Sequence, residues 1–309
     1  MALLFYSQFD DPQEWSGHLR RLMPDLEVRV WPQAGDPADI EAALVWKAPE
    51  GELARYPNLK LIVNLGAGVD AIVADRSIPA HIPIVRIADA EMSRMMAQFV
   101  LLAVLRHHRN LVAFERAQRE RRWHYIHPRE TRETNVGVMG LGQLGGAAAA
   151  ELARQGFTVR GWSRTAKAIE GVHGFHGDAG LRPFLAGLNV LVAMLPHTPQ
   201  TDGIVNAEVF GLLARGACFV SVGRGRTVDE DALVAALRSG QVGEATLDVF
   251  REEPLPGAHP LYAFDQVLVT PHLASVAIPR SGAEQVVDNI RRVRAGQPLV
   301  NRVDPQRGY

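Results

Sequence analysis

The sequence predicts an α/β fold of two Rossmann-like, doubly wound parallel-sheet domains with a cleft between them. Three observations favour this fold class. Short apolar runs bounded by turn residues alternate with helical stretches along most of the chain. One glycine-rich G-x-G-x-x-G segment lies between such a run and a helix. The chain has 309 residues, 47% of them hydrophobic, and a typical domain has about 150 residues.

The elements of the first domain follow from its apolar runs. We expect strands at 3–6, 28–31, 43–46, 61–63 and 84–87. We expect short helices between some of them, at 12–23, 37–42 and 50–56. Helices between consecutive strands are typical of βαβ units, so the sheet they form should be parallel.

A longer helical segment at 91–118 and a connector at 123–134 precede the second series of elements. Its strands are expected at 136–140, 158–162, 190–195, 219–222, 245–249 and 267–270. Its helices are expected at 144–155, 181–186, 207–213 and 229–239, and a last helix at 280–295. We therefore predict a discontinuous substrate-binding domain, 1–97 plus 277–309, and a dinucleotide-binding domain at 98–276.

Composition excludes several classes of partner. The chain has 33 basic and 34 acidic residues, so it lacks the positive excess that binds nucleic acid or anionic membranes. Its longest apolar stretch, 99–105, is far shorter than the roughly 20 residues that span a bilayer. The N-terminus is typical of a buried strand, not of a signal peptide. A single cysteine, Cys218, forms no intrachain disulfide, which fits a cytoplasmic protein.

The glycine-rich segment predicts a phosphate-binding turn. Gly140 allows a tight turn after an apolar strand, Gly142 lets backbone approach a pyrophosphate, and Gly145 lets the helix pack closely. Gln143 and Leu144 lie inside the same turn, where the helix begins. A helix N-terminus offers unpaired N–H groups and a positive dipole end to phosphates. The sequence therefore predicts a dinucleotide cofactor here.

The residues after the next strand predict which dinucleotide is bound. Folds that bind NAD commonly place an acidic residue at this point to hold the ribose 2′-hydroxyl. This chain instead has Ser163, Arg164, Thr165 and, close by, Lys167. Two cations and two hydroxyls suit a 2′-phosphate. We therefore expect NADP(H) to be preferred and NAD(H) to be possible.

Three further segments end predicted strands with residues suited to acid–base chemistry. They are 222–225, with Arg224; 248–255, with three acidic residues; and 270–274, with His272. Ligands of open α/β sheets bind at the carboxyl ends of strands. Reduction of a 2-oxo acid needs a proton donor near neutral pH, which histidine supplies, and a carboxylate can hold its ring. An arginine fork matches a substrate carboxylate.

The chain resembles the D-isomer-specific 2-hydroxyacid dehydrogenases over essentially its whole length. The motifs that carry the resemblance are G-L-G-Q-L-G, V-G-R-G, L-D-V-F-R-E-E-P-L-P, H-P-L-Y and V-T-P-H-L-A-S, in the family's order. The segments A-L-V-W-K-A-P, N-L-G-A-G-V-D and W-S-R and the C-terminal R-G-Y resemble a branch that reduces glyoxylate and hydroxypyruvate.

The resemblance implies a role for each catalytic residue. Arg224 would bind the substrate carboxylate and keto oxygen, and His272 would be the acid and base. Glu253, directly before Pro254, would pair with the histidine; Glu252 is the competing assignment.

Further residues are implied to bind cofactor or substrate. Cofactor contacts are implied at Leu195, Pro196, Val222, Gly223 and Asp248, the last near the nicotinamide carboxamide. Substrate contacts are implied at Trp46, Gly66, Ala67 and Gly68, in addition to Arg224 and His272.

The activity implied is NADPH-dependent reduction of glyoxylate to glycolate and of hydroxypyruvate to D-glycerate, by a homodimer formed through the long helical segment. Ser221, His197 and Ile278 depart from residues common in relatives, and Ile278 could favour a less polar substrate. The alternatives are therefore a reductase of a larger 2-oxo acid such as phenylpyruvate, or a non-catalytic, corepressor-like dinucleotide sensor.

Two pairs of histidines require an interpretation of their own. His124 and His127 have no third ligand at metal spacing and precede a proline, so we expect no metal. His107 and His108 follow the apolar part of the long helical segment, and we expect them at a surface or interface.

Overall fold

The computed structural model describes residues 2–304. It divides into two compact units, one with the residues up to Met92 and those from Val276 onward, the other spanning Ser93–Ser275. The domain boundaries predicted from the sequence, at 97/98 and 276/277, stay a prediction beside these units. Among the helices of residues 2–304, none is both long and apolar enough to cross a membrane.

The first unit contains a five-stranded sheet. Its strands are β1 (Ala2–Tyr6), β2 (Glu27–Val30), β3 (Ile40–Val45), β4 (Leu61–Asn64) and β5 (Ile84–Arg86). Their order is β2-β1-β3-β4-β5, and every pair is parallel. Short helices α1 (Pro12–Leu22) and α2 (Asp70–Ala74) belong to this unit. The order 2-1-3-4-5 is one of the common doubly wound arrangements.

Helices α3 (Ala90–His108) and α4 (Leu111–Arg119) lead into the second series of elements. Strands of the second unit are β6 (Asn135–Met139), β7 (Thr158–Ser163), β8 (Val172–His176), β9 (Val190–Ala193), β10 (Ala217–Ser221), β11 (Val242–Leu247) and β12 (Val267–Val269). Its helices are α5 (Gln143–Arg154), α6 (Gly177–Leu185), α7 (Ala207–Leu212) and α8 (Glu230–Ser239). The chain then returns to the first unit with α9 (Pro279–Arg294).

The order of the seven-stranded sheet shows where its ligand crevice lies. The strands run β12-β11-β10-β9-β6-β7-β8, and all neighbours are parallel. The chain starts at β6, builds outward through β7 to β8, and then crosses to β9 on the other side of β6. In such sheets, ligands bind outside the carboxyl ends of the strands at this switch point.

Both faces of the seven-stranded sheet are covered, which explains its uninterrupted apolar strands. One face packs Phe184, Phe210 and Phe219 into a buried cluster. The other face packs α3 and the alanines of α5 against the valines of the central strands. Cys218 is buried on this second face, and burial raises the pKa of its thiol, so the thiol is held unreactive.

Several predicted elements are wrong in ways that have a physical cause. The predicted helix at 37–42 is only a 3₁₀ turn at Pro37–Asp39, because Ile40 already begins the buried strand β3. The predicted helix at 50–56 is likewise a 3₁₀ turn, Leu53–Arg55. The predicted segment 91–118 is two helices, since Asn110 adopts a left-handed conformation with φ 56°.

Two elements were not predicted. The edge strand β8 has a polar, largely exposed pattern that gives no apolar signal, and α2 has only five residues.

His107 and His108 are buried within the chain, so the prediction of a surface or interface position is wrong. His108 Nδ1 lies 3.0 Å from Thr134 Oγ1, and its ring meets Phe157 edge-on. Burial lowers the pKa of His108. His107 Nδ1 lies 3.5 Å from Glu244 Oε2 on β11. Both rings therefore pack the end of α3 against other elements of the second unit.

Candidate active site

The phosphate turn between β6 and α5 is formed by glycines for steric reasons. Gly140 has φ +110°, and a Cβ there would lie 2.8 Å from the Met194 carbonyl oxygen. A Cβ on Gly145 would lie 1.8 Å from the Gly140 carbonyl oxygen. A Cβ on Gly142, in contrast, would have nothing within 4 Å. Two glycines therefore bring helix and strand together, and the third leaves the backbone exposed.

Helix α5 begins beside that exposed backbone. Gly142 is its N-cap and Gln143 its first residue, and no side chain caps its N-terminal N–H groups. Uncapped N–H groups at the start of a twelve-residue helix are the partners that phosphate oxygens need. The turn therefore fits the pyrophosphate of a dinucleotide.

The loop after β7, residues 163–167, is cationic, as the sequence predicts. We call it the selector loop because its residues are predicted to select between NADP and NAD. Ser163 ends the strand, and its hydroxyl donates to the Thr165 carbonyl at 2.8 Å. Arg164, Thr165 and Lys167 are exposed, and the sequence has no acidic residue between Ser163 and Ile169. An exposed pair of cations beside a phosphate turn suits the 2′-phosphate of NADP.

Arg224 follows β10 on a backbone that two glycines allow to pack tightly. A Cβ on Gly223 would lie 2.7 Å from the Leu195 carbonyl oxygen, and one on Gly225 would lie 1.9 Å from the Phe250 carbonyl carbon. The Thr227 amide and hydroxyl donate to the Arg224 carbonyl at 3.0 and 2.6 Å. The ends of β9, β10 and β11 therefore lie side by side, and the backbone that carries Arg224 is fixed.

His272 and Glu253 form a hydrogen-bonded pair. His272 Nδ1 lies 2.9 Å from Glu253 Oε2, and Glu253 Oε1 accepts the Phe250 amide at 3.1 Å. Both side chains are mostly buried, with 24% and 20% exposed. A carboxylate can only accept, so the Nδ1 hydrogen is directed at Glu253, and Nε2 is the nitrogen that exchanges a proton with a ligand.

The backbone at His272 is strained and is held by Asp248. His272 has φ 55°, which is costly for a residue with a Cβ. Asp248 Oδ1 accepts from the Thr270 hydroxyl at 2.6 Å and from the Leu273 amide at 2.9 Å. Its Oδ2 accepts the Ala274 amide at 2.9 Å, and its own carbonyl accepts the His272 amide at 2.9 Å.

Asp248 therefore acts on the histidine loop, residues 270–274, through both carboxylate oxygens. It is 2% exposed. The nicotinamide contact that the resemblance implies for Asp248 stays a prediction. Sequence reasoning identified the aspartate but missed this role and also missed Thr270, although a threonine directly after a strand and before Pro-His was the available signal.

In the first unit, the residues predicted to bind substrate follow the ends of two strands, β3 and β4. Trp46 follows β3, and a Cβ on Gly66 would lie 2.4 Å from its ring. Asn64 Nδ2 donates to the carbonyls of Gly66 and Gly68, and Arg86 Nη1 donates to the carbonyl of Ala67. Sequence reasoning missed Asn64 and Arg86, which are the last residues of β4 and β5.

The three departures from the pattern of relatives have distinct surroundings. Ser221 is buried, and its hydroxyl has no hydrogen-bond partner within residues 2–304. His197 Nε2 lies 2.8 Å from Asp202 Oδ1. Ile278 is the N-cap of α9. Within the same described residues, no group of three or more His, Cys, Asp or Glu is placed to hold a metal ion.

Comparison with known proteins decides the family. The family model for the NAD binding domain of D-isomer specific 2-hydroxyacid dehydrogenases matches residues 101–274, more than half of the chain. The chain belongs to this family. The predicted enzyme class, an NAD(P)-dependent oxidoreductase acting on 2-hydroxy acids, is thereby confirmed. The predicted α/β fold of two parallel-sheet domains is confirmed as well.

Relatives of known name and structure match the whole chain. Glyoxylate/hydroxypyruvate reductase A of Yersinia enterocolitica is 40% identical, with all of both chains covered. A D-isomer specific 2-hydroxyacid dehydrogenase from Xanthobacter autotrophicus Py2, in complex with NADPH and MES, is 59% identical. Its TM-score is 0.95, and the match covers 100% of this chain and 99% of the other.

A third relative is the NADPH-dependent glyoxylate/hydroxypyruvate reductase of Sinorhizobium meliloti, in complex with NADP and sulfate. It is 36% identical with a TM-score of 0.94, and the match covers 100% of this chain and 99% of the other.

Proposed function

We propose that this protein reduces a small 2-oxo acid with NADPH, converting glyoxylate to glycolate or hydroxypyruvate to D-glycerate. The observation that carries the proposal is the His272–Glu253 pair, 2.9 Å between Nδ1 and Oε2, on a loop fixed by Asp248. It lies on the same sheet edge as Arg224 and the phosphate turn, which is where a doubly wound sheet binds its ligands. Relatives named as reductases of these two acids support the choice of substrate.

The residues divide the chemistry among them. Bound NADPH would supply a hydride to the carbonyl carbon of the 2-oxo acid. Protonated His272 would give the Nε2 proton to the carbonyl oxygen, and Glu253 stabilises the imidazolium before that transfer. The guanidinium of Arg224 would hold the substrate carboxylate and polarise the adjacent carbonyl. The product is the 2-hydroxy acid, and His272 regains its proton from water.

The cofactor assignment uses the turn and the selector loop together. Gly140, Gly142 and Gly145, with Gln143 and Leu144, would hold the pyrophosphate, and Ser163, Arg164, Thr165 and Lys167 would hold the 2′-phosphate. Leu195, Pro196, Val222 and Gly223 line adjoining strand ends and would contact the nicotinamide side. Two relatives that match the whole chain hold NADPH or NADP, which supports NADP(H) as the preferred cofactor.

The test is loss of reduced-nicotinamide absorbance with purified protein. The panel pairs NADPH or NADH with glyoxylate, hydroxypyruvate, pyruvate and phenylpyruvate. We expect NADPH consumption with the two small polar acids and a much lower kcat/KM with NADH. Preference for phenylpyruvate would indicate a pocket reshaped around Ile278. Tight NADPH binding without turnover of any acid would favour a dinucleotide sensor instead.

We also infer a cytoplasmic homodimer. Large apolar side chains are exposed on α3, on α4 and on the segment that follows: Leu102, Leu111, Trp123 and Tyr125. Trp123 is 97% exposed and Tyr125 75%, and aromatic side chains are enriched at interfaces. Light scattering should give twice the chain mass of 33.9 kDa, and Trp123→Ser with Tyr125→Ser should shift the protein toward monomer. A monomer in the unmodified protein would contradict the inference.

A further inference from the structure

One motif that carries the family resemblance, H-P-L-Y, has no part in the site described above. Its first residue, His259, is the N-cap of a 3₁₀ turn, Pro260–Ala263, and its Nδ1 accepts the Leu261 amide at 3.4 Å. Nδ1 is therefore the nitrogen without a hydrogen in the neutral ring, and Nε2 carries the N–H group. This Nε2 lies 3.4 Å from Oε2 of Glu230, in the first turn of α8.

Glu230 uses its two carboxylate oxygens on two different segments. Oε2 faces His259, and Oε1 accepts the backbone amide of Arg251 at 2.8 Å. The side chains of Glu230 and His259 are only 15% and 20% exposed. A carboxylate so largely removed from water needs partners for its oxygens, which the amide and the ring supply. We call these three groups, the Glu230 carboxylate, the Arg251 amide and the His259 ring, the Glu230 bridge.

The Glu230 bridge meets the loop that carries Glu253. The Phe250 amide donates to Glu253 Oε1 at 3.1 Å. The Arg251 amide, the next along the chain, donates to Glu230. Glu253 Oε2 in turn lies 2.9 Å from His272 Nδ1. The backbone that holds the Glu253 carboxylate is thus fixed from α8, one residue further along the chain.

The same backbone packs tightly on Gly225. A Cβ on Gly225 would lie 1.9 Å from the Phe250 carbonyl carbon and 2.5 Å from the Arg251 nitrogen. In addition, Phe250, Leu261 of the 3₁₀ turn and Leu233 of α8 belong to one buried apolar cluster. Close packing therefore holds the loop at Phe250, and the Glu230 bridge adds the polar contact that fixes the direction of the next amide.

The two pairs of histidine and glutamate differ in the nitrogen that faces the carboxylate. His272 turns Nδ1 to Glu253, and Nε2 is the nitrogen proposed to exchange a proton. His259 turns Nε2 to Glu230 and uses Nδ1 to cap backbone. Since both nitrogens of His259 face groups of the fold, this pair is suited to orientation and not to proton transfer.

We propose that Glu230 and His259 are positioning residues for the Glu253 carboxylate. They keep that carboxylate in line with the His272 ring, and this role rests on the proposed function for the part of His272 in proton transfer. Glu230 fixes the Arg251 amide, and His259 holds Glu230 in place. Without the Glu230 bridge the loop can rotate its peptide groups, and the Glu253 carboxylate loses the direction that orients the His272 ring.

The first experiment compares Glu230→Ala with Asp231→Ala. Both remove one acidic residue from the first turn of α8, so they affect the helix dipole alike, and Asp231 is exposed. We expect Glu230→Ala to lower kcat with glyoxylate about tenfold, since misplacing a group by about 1 Å costs up to about a hundredfold in rate. Its KM for NADPH should stay within a factor of two, and Asp231→Ala should change neither constant. An unchanged kcat in folded Glu230→Ala would overturn the proposal.

A combination of variants tests whether the effect passes through Glu253. If Glu230 acts through that carboxylate, Glu230→Ala should lower kcat less than twofold when Glu253→Ala is already present. Independent effects of two substitutions would multiply. Effects that multiply would show that Glu230 acts elsewhere in the fold, and the proposal would be wrong.

Conservative variants separate the parts of the Glu230 bridge. Glu230→Gln keeps an oxygen for the Arg251 amide and should recover most of the kcat. His259→Asn can still cap the 3₁₀ turn but is too short to reach Glu230, so its kcat should lie between those of Glu230→Ala and the unmodified protein. If Glu230→Ala does not fold, Glu230→Asp replaces it, because its carboxylate is withdrawn by one methylene from the Arg251 amide. Glu230→Asp should also lower kcat, and an unchanged kcat there would overturn the proposal.

A readout without turnover separates this proposal from the proposed function. The His272 Nδ1–H group, bound to Glu253, should exchange slowly with water, and its nuclear magnetic resonance signal is identified by its absence from His272→Gln. We expect Glu230→Ala to lose this signal and Asp231→Ala to keep it. That result would support the positioning role even if the unmodified protein reduces no 2-oxo acid. A signal kept in Glu230→Ala, or absent from the unmodified protein, would overturn it.

Discussion

The phosphate turn and the histidine loop lie on the same sheet edge but are built in different ways. In the turn, Gly140 and Gly145 permit close packing, and the predicted ligand contact is the backbone. In the loop, the Asp248 carboxylate accepts two backbone N–H groups and a hydroxyl, the Asp248 carbonyl accepts a third N–H group, and the predicted ligand contact is the His272 side chain. The first region depends on the absence of side chains, and the second on the charge of those present.

This difference determines how each region should fail. Substitutions in the turn should act through sterics, on stability or on cofactor affinity. Substitutions in the loop should act through proton transfer and orientation, with cofactor affinity kept.

The largest effect is expected for His272→Ala. Loss of the general acid should lower kcat about 10²–10⁴-fold with either small acid. Because the turn is untouched, KM for NADPH should stay within a factor of two, measured by steady-state kinetics. Glu253→Gln is the companion variant and should lower kcat less. The His272 ring would keep a hydrogen-bonding partner at residue 253, but that partner would no longer carry a negative charge. Near-normal kcat in His272→Ala would assign the proton donor elsewhere.

The next effect is a contrast between two glycines of the turn. Gly145→Ala should destabilise the protein by about 1–3 kcal/mol, because the new Cβ overlaps the Gly140 carbonyl. Gly142→Ala should leave the thermal midpoint unchanged, because a Cβ there meets nothing within 4 Å. It should instead raise KM for NADPH about tenfold by blocking close approach of the pyrophosphate. Equal stability losses in the two variants would contradict the steric account.

Asp248→Asn distinguishes loop anchoring from cofactor contact. The amide of asparagine would face the N–H of Leu273 or Ala274, so one hydrogen bond would be replaced by a donor–donor contact. We expect kcat to fall about tenfold and stability to fall by about 1–3 kcal/mol. KM for NADPH should change little. A raised KM for NADPH with normal kcat would favour the nicotinamide contact that the resemblance implies.

The smallest effect concerns the pH dependence of stability. Burial lowers the pKa of His108 in the folded state, so the unfolded chain binds the proton more readily. This contribution destabilises the fold as pH drops below the ordinary histidine pKa of about 6.5 and vanishes above it. His108→Gln should therefore flatten the urea-unfolding free energy between pH 7 and 5. If the unfolding free energy of His108→Gln depends on pH as steeply as that of the unmodified protein, the assignment to His108 is wrong.

The sequence was most informative where local chemistry alone decides the structure. Glycine spacing correctly predicted a tight turn between β6 and α5, and the residues after β7 form an exposed cationic loop, since both features depend on residues adjacent in the chain. Their contacts with a cofactor stay predictions. The pairing of His272 with Glu253, and not Glu252, was implied by resemblance and is what the geometry shows. Asn64 and Arg86, which donate to the backbone of the turn after β4, gave no local signal, whereas Thr270 had one in its place directly after a strand and before Pro-His.

Errors in the fold have the same origin. The helix predicted at 37–42 failed because β1 recruits Ile40 and Ala42 into its sheet, a pairing that is not visible in the segment itself. The edge strand β8 was missed because one partner, β7, suffices to hold a polar strand. His107 and His108 were expected at a surface or interface because the polar groups beside them in the fold, Glu244 and Thr134, are far away in the chain.

The position of β12 has a consequence for how activity is lost. This three-residue strand is the edge of the seven-stranded sheet and leads directly into the histidine loop; within residues 2–304, β11 is its single partner strand. Edge elements with few contacts open by local unfolding at lower free energy than the whole domain. Fraying of β12 would release His272 from Glu253, while the phosphate turn, which follows the central strand β6, stays folded. Heating should therefore abolish turnover before it abolishes NADPH binding.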